Sequence, residues 1–99
     1  MAVKGRQLRL APLATLDFED IRRYTAEHGA LEEADHYHRD LIGTMEALAR
    51  GKKSGRTCAV REGYFRYAAG SHVVFYRKTD DAADVIRILH PRTDIERHL

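Results

Sequence analysis

Tryptophan is absent from this 99-residue chain, cysteine occurs once and proline twice. The lone Cys58 cannot close an internal disulfide, which fits a reducing compartment. No run approaches the roughly 18 consecutive apolar residues of a membrane helix. The opening Met1-Ala2-Val3-Lys4-Gly5-Arg6 has charges but no apolar stretch behind them, so no secretory signal and a cytoplasmic protein are expected. Length excludes a cofactor-binding enzyme with a separate substrate domain, because a chain this short buries roughly 60–65% of its unfolded surface in one core. Residues 1–99 are therefore expected to form a single domain.

Apolar residues at 43% and charged residues at 32% mark a globular chain, with a formal net charge of +2. That small sum hides segregation. Residues 1–10 hold Lys4, Arg6 and Arg9, whereas 11–50 hold nine acids against four arginines. Residues 51–79 carry seven bases and the single acid Glu62, and 80–99 are again net acidic. A basic segment of this kind suits a polyanion or an acidic partner, although strand edges also use Lys and Arg against aggregation.

The order of elements follows from periodicity. Arg6-Gln7-Leu8-Arg9-Leu10 alternates as a half-buried strand. Pro12 suits a first helical turn. Leu13, Leu16, Ile21 and Tyr24, widened by Phe18, then give a helical stripe that stops at His28-Gly29, with Gly29 available for a left-handed cap. A second helix carries Ala34, Tyr37, His38, Leu41, Ile42, Met45, Leu48 and Ala49 on one face, and Gly51 ends it.

Beyond the polar run 52–56 the period changes to two. Strands are expected over 64–68, 72–77 and 84–90, with turns at 69–71 and 79–83, and Pro91 ending the last. Short connections imply antiparallel pairing. The fold class is α+β in the order β-α-α-β-β-β. A helical hairpin covers one face of a small, mainly antiparallel sheet, and the other face is left open, framed by the bases of 51–79. The tail after Pro91 is polar with two apolar anchors.

Chemistry is harder to find. His36 and His38 lie about 200° apart around a helix and cannot share an ion, and no zinc-type spacing surrounds His72 or His90, so no metal and no cofactor are expected. Cys58 has no evident His–carboxylate pair, and Gly51, Gly55, Gly63 and Gly70 are spaced as turns rather than as a phosphate cradle. Acid–base cleavage of RNA could draw on Arg61, Arg66, Arg77, His90 and Arg92, with Tyr64, Tyr67 and Tyr76 stacking bases. On alternating strands these cannot all share a face. Sheet packing accounts for the tyrosines and a solvated rim for the arginines.

Gly70-Ser71-His72-Val73-Val74-Phe75-Tyr76-Arg77, followed by Val85-Ile86-Arg87-Ile88-Leu89-His90-Pro91-Arg92-Thr93-Asp94, resembles the C-terminal half of ParE toxins. Leu16-Asp17-Phe18-Glu19-Asp20-Ile21 resembles their first helix, and Ser54-Gly55-Arg56 their helix-to-strand junction. The resemblance runs over nearly the whole chain. It implies a toxin of the ParE/RelE type II toxin–antitoxin superfamily that inhibits DNA gyrase, causes growth arrest and serves plasmid stabilisation. It also implies a ParD-like antitoxin partner, no membrane, and no DNA contact by the toxin alone. RelE-like relatives instead cleave mRNA on ribosomes, the alternative for which Arg61, Arg77, His90 and Arg92 would be catalytic.

On the gyrase reading no residue is catalytic, and Arg87, His90, Arg92 and Asp94 are expected to meet the target. The antitoxin is expected along Leu13, Leu16, Tyr24, Tyr37 and Leu41 with Arg56, or along a sheet edge. Charge complementarity to the bases of 51–79 would speed its encounter.

Overall fold

The structure, a computed structural model, describes residues 5–99. The leader reading of residues 1–4, with Lys4, lies outside the described residues.

Strand β1 (Gln7–Leu10) leads into helix α1 (Pro12–His28), and α2 (Leu31–Ala49) returns beside it. Strands β2 (Arg56–Thr57), β3 (Phe65–Ala69), β4 (His72–Lys78) and β5 (Ala82–Leu89) follow, and α3 (Ile95–His98) closes the chain. The sheet order is β1-β5-β4-β3-β2, with β1 parallel to β5 and every other pair antiparallel. Both helices are bounded as Pro12, Gly29 and Gly51 suggest. Gly29, however, is extended (φ −154°) rather than left-handed, while Gly51 does take positive φ (79°). The two-residue β2 and one-turn α3 were too short for periodicity to reveal. Ala82 and Ala83 belong to β5 rather than to a turn, because β1 pairs with them and draws them into the sheet.

The helical hairpin packs on one face of the sheet. Ala14 of α1, Leu41, Met45 and Leu48 of α2, and Val74, Tyr76, Val85 and Ile88 of the strands form this core. Val85 and Ile88 both reach it because the register slips between Phe75/Arg87 and Tyr76/Val85, leaving Ile86 unopposed. The opposite face is not open. Cys58, Val73, Phe75 and Leu89 form a second, smaller core there, covered by Tyr64 and by Ile95 and Leu99 of the tail.

Three polar contacts lock the layers. Asp17 of α1 accepts a two-pronged hydrogen bond from Arg87 (2.7 and 2.8 Å) and a third from the Ile88 backbone N–H (3.0 Å). It meets β5 beyond the end of β1, where the strand edge has no neighbour. Tyr76 Oη accepts the Gly55 N–H at 2.8 Å, and a Cβ on Gly55 would lie 2.6 Å from the Arg66 carbonyl. Tyr37 Oη accepts the Ser71 N–H at 2.8 Å over the β3–β4 turn, where Gly70 has φ +60°.

Candidate functional site

Helix α1 has two faces of different character. Ala14, Phe18 and Ile21 turn inward. On the stripe facing away from them, Leu13, Leu16 and Tyr24 are 53%, 54% and 63% exposed, and Leu31 at the start of α2 adds another exposed apolar side chain. The single stripe expected from the sequence is thus two stripes, because Leu13, Leu16 and Tyr24 (i, i+3 and i+11) are centred about 120° around the helix from Ala14, Phe18 and Ile21. Tyr24 stacks on His28 with ring centroids 4.0 Å apart.

A cleft of about 640 Å³ opens between Tyr24 and the β3–β4 turn, lined also by Glu32, Glu33, His36, Tyr37 and His72. Tyr37 forms its floor. Besides Ser71, its hydroxyl lies 2.8 Å from His72 Nδ1 and 3.2 Å from the Ala69 carbonyl. Burial raises the Tyr37 hydroxyl above its ordinary pKa. Burial, and to a lesser degree His90, lowers that of His72. His90 meets the His72 ring edge-on at 6.2 Å.

The residues expected to meet an antitoxin therefore lie in three places. Leu13 and Leu16 crown α1, while Tyr24 and Tyr37 line the cleft. Arg56 sits at the far edge of the sheet, in a separate cleft with Arg66 and Tyr67. Leu41 is corrected: it is 1% exposed in the core, because its position on α2 points to the sheet, so it presents no exposed face.

The residues expected to meet the target divide as well. Arg87 is not a free cation. Its side chain is 14% exposed and paired to Asp17, whose hydrogen bonds, and less so its charge, hold the guanidinium protonated beyond its ordinary range. His90 and Arg92 are exposed in the turn after β5, where His90 Nδ1 accepts the Arg92 N–H at 3.1 Å. Asp94 caps α3 by accepting the Glu96 N–H at 3.2 Å and pairs with Arg97 at 3.5 Å.

The four residues of the nuclease alternative do not converge. Arg61 and Arg77 lie over the same ring, Tyr64, at 5.4 and 5.7 Å. Arg61 also donates to the Leu99 carbonyl. His90 instead packs by His72, which begins β4, whereas Arg77 lies five residues farther along that strand. Five strand residues span about 17 Å. The two lie on opposite faces, since Arg77 follows Val73 and Phe75 of the second core while His90 packs by His72, which meets Tyr37 on the helix side.

Sequence reasoning missed Asp17. Its role depends on where β1 stops relative to β5, a long-range fact with no local signal. It also missed the cleft at Tyr24, which the turn at Ser71 completes from the other end of the chain.

The family model described as "ParE toxin of type II toxin-antitoxin system, parDE" matches residues 8–95. Toxin ParE1 of Mycobacterium tuberculosis is 37% identical over 92 residues, covering 91% of this chain and 94% of its own. Toxin ParE1 of Caulobacter vibrioides is 38% identical, covering 92% and 95%. Among solved structures, a chain of the chromosomal ParDE system from P. aeruginosa superposes with a TM-score of 0.76 at 16% identity, over 87% of this chain and 96% of that one. A chain of the RelBE2 toxin–antitoxin complex from Mycobacterium tuberculosis gives 0.61 at 18% identity, over 93% and 98%.

Proposed function

The chain belongs to the ParE toxin family of type II toxin–antitoxin systems, and from that membership we propose that it inhibits DNA gyrase by binding, in the cytoplasm, until a ParD-like antitoxin covers it. The observation that carries the antitoxin part is the outer stripe of α1. Three large apolar side chains stand more than half exposed on a helix whose other face is already packed. Finishing the burial of one such leucine contributes about 1 kcal/mol, and the stripe extends into the cleft between Tyr24 and Tyr37. An amphipathic segment of the antitoxin fits this path, with apolar anchors on α1 and basic residues toward Glu32 and Glu33.

The target part is supported by the turn at His90 and Arg92, which is exposed and adjoins the cleft wall at His72. Separation of His90 from Arg61 and Arg77 favours binding over RNA cleavage.

A supercoiling assay with purified toxin tests the target: relaxed DNA accumulates if the reading holds, and gyrase unaffected by a large excess of toxin rejects it. For the antitoxin, Leu16→Asp with Tyr24→Ala weakens capture by the cognate partner at least tenfold. Unchanged capture rejects the α1 path. Transcripts cut in a translating extract while gyrase works normally would favour the nuclease instead.

A further inference from the structure

We infer that the cleft between Tyr24 and the β3–β4 turn is a receptor site for one arginine side chain of the antitoxin. The inference rests on the antitoxin reading above and sharpens it. Apolar contact along Leu13 and Leu16 has no direction of its own, whereas a charged, hydrogen-bonded anchor does. Glu32 and Glu33 stand in the cleft wall, in the first turn of α2, where the helix dipole favours anions. Among the described residues neither carboxylate is ion-paired, although Asp17, Asp20, Asp35 and Asp84 each hold an arginine. His36 in the same wall turns to Asp40, 3.3 Å away.

Charge sets this cleft apart from its neighbours. Among the described residues no Lys or Arg lines it. A second cleft holds Arg39 and Lys53, a third Arg22 and Arg23, and a fourth Arg56 and Arg66. Burial keeps His72 below its ordinary pKa, so it brings no positive charge to the wall near neutral pH. A cation from outside is what the two open carboxylates lack.

The rings select the kind of cation. His28 braces one face of the Tyr24 ring, and the residue, 63% exposed, leaves the other face bare. The Tyr37 hydroxyl is already taken by Ser71, His72 and the Ala69 carbonyl, so Tyr37 offers a ligand its ring rather than its oxygen. The Thr25 hydroxyl is spent on the Ile21 carbonyl. Aromatic faces beside two carboxylates suit a guanidinium, which is planar, stacks on rings and forks its N–H donors to oxygen pairs. A lysine ammonium is a compact, strongly hydrated charge and uses only part of this arrangement. An apolar anchor would cover both carboxylates without a partner, and an acidic one would be repelled.

The test is biolayer interferometry of the full chain against its cognate antitoxin. Glu32→Gln with Glu33→Gln, both exposed and so compatible with the fold, lowers affinity by about tenfold or more. Tyr24→Leu, which keeps apolar area but loses the ring, lowers it about two- to fivefold. Glu46→Gln, exposed toward the other end of α2, leaves it unchanged. Each antitoxin arginine is then changed to Gln and to Lys. One Arg→Gln costs about tenfold against the parent toxin and less than about twofold against the double glutamine variant, and the same arginine changed to Lys costs about threefold. The proposal is overturned if the double variant binds like the parent, if Glu46→Gln weakens binding as much, or if no antitoxin arginine couples to Glu32 and Glu33. It is also overturned if the coupled arginine is replaced by Lys without loss. Leu16→Asp separates this outcome from the α1 path. Affinity unchanged in Leu16→Asp with the coupling intact removes the path and keeps the cleft site, whereas weakened affinity without coupling removes the site and keeps the path.

Discussion

Replacing Asp17 by Asn removes one charge and little volume, and it leaves the Arg87 guanidinium, 14% exposed, facing α1 without a counter-ion. Breaking a fully buried ion pair from one side costs about 3–5 kcal/mol. Partial exposure, and the acceptor that Asn still offers to the Ile88 N–H, reduce this to about 2–3 kcal/mol. For a domain near 100 residues that is a drop in Tm on the order of 10–20 °C. Arg87→Met should cost a similar amount, because it strands the carboxylate instead. The double variant is less damaged than the two losses combined, since a neutral Asn beside an apolar Met leaves no orphan charge. A coupling of about 1.5–2 kcal/mol follows. Far-UV circular dichroism during urea unfolding measures it in a chain without tryptophan. Asp20→Asn, which breaks the exposed pair with Arg23, is the reference and stays within about 0.5 kcal/mol of the parent. If Asp17→Asn is as mild as Asp20→Asn, or the coupling falls below about 0.5 kcal/mol, the interlock is not what fastens α1 to β5.

Two further outcomes concern the glycine and histidine contacts. Gly55→Ala drives a methyl group to 2.6 Å from the Arg66 carbonyl and 2.7 Å from Tyr76 Oη, so it should destabilise by about 2 kcal/mol or more, whereas Gly43→Ala, with nothing within 4 Å, should be stabilising by about 1 kcal/mol; equal Tm values for the two variants would contradict this. His72 ionises below its ordinary pKa of 6.5 when folded, because of burial and then His90. As pH falls below 6.5 the unfolded chain therefore takes up a proton that the folded chain resists, and stability declines until the folded pKa is passed. His72→Gln should flatten that part of the acid-side decline in urea midpoints between pH 7.5 and 5.5, and an unchanged slope in this variant would assign the decline to other groups.

Much of the fold was written in local patterns. Pro12, Gly29 and Gly51 punctuate the helices because their backbone constraints act within a turn, and the shift of period after Gly51 reflects a change from helix to sheet. What escaped was non-local. No residue near Ile95 or Leu99 announces that the tail covers Phe75 and Leu89, so a sheet face read as open is closed. Leu13, Leu16 and Tyr24 were legible as apolar helix positions. Whether they faced the core or the solvent depended on Ala14, a small residue that hydropathy underweights and that packing places at 0% exposure. For Arg87, the strand motif gave the residue type but not its carboxylate partner, 70 positions earlier in the chain.

The pairing of β1 with β5 sets an order on biosynthesis. Arg9 and its strand partner Asp84 are 75 residues apart, so the first strand emerges from the ribosome long before the one it must join. At about 5–20 residues per second, the nascent hairpin of helices waits several seconds with its inward apolar face uncovered. Final closure of the sheet can come only once Ala82–Leu89 have been made, and a nascent chain halted before Ala82 has neither the β5 edge that Asp17 seals nor the turn that bears His90 and Arg92.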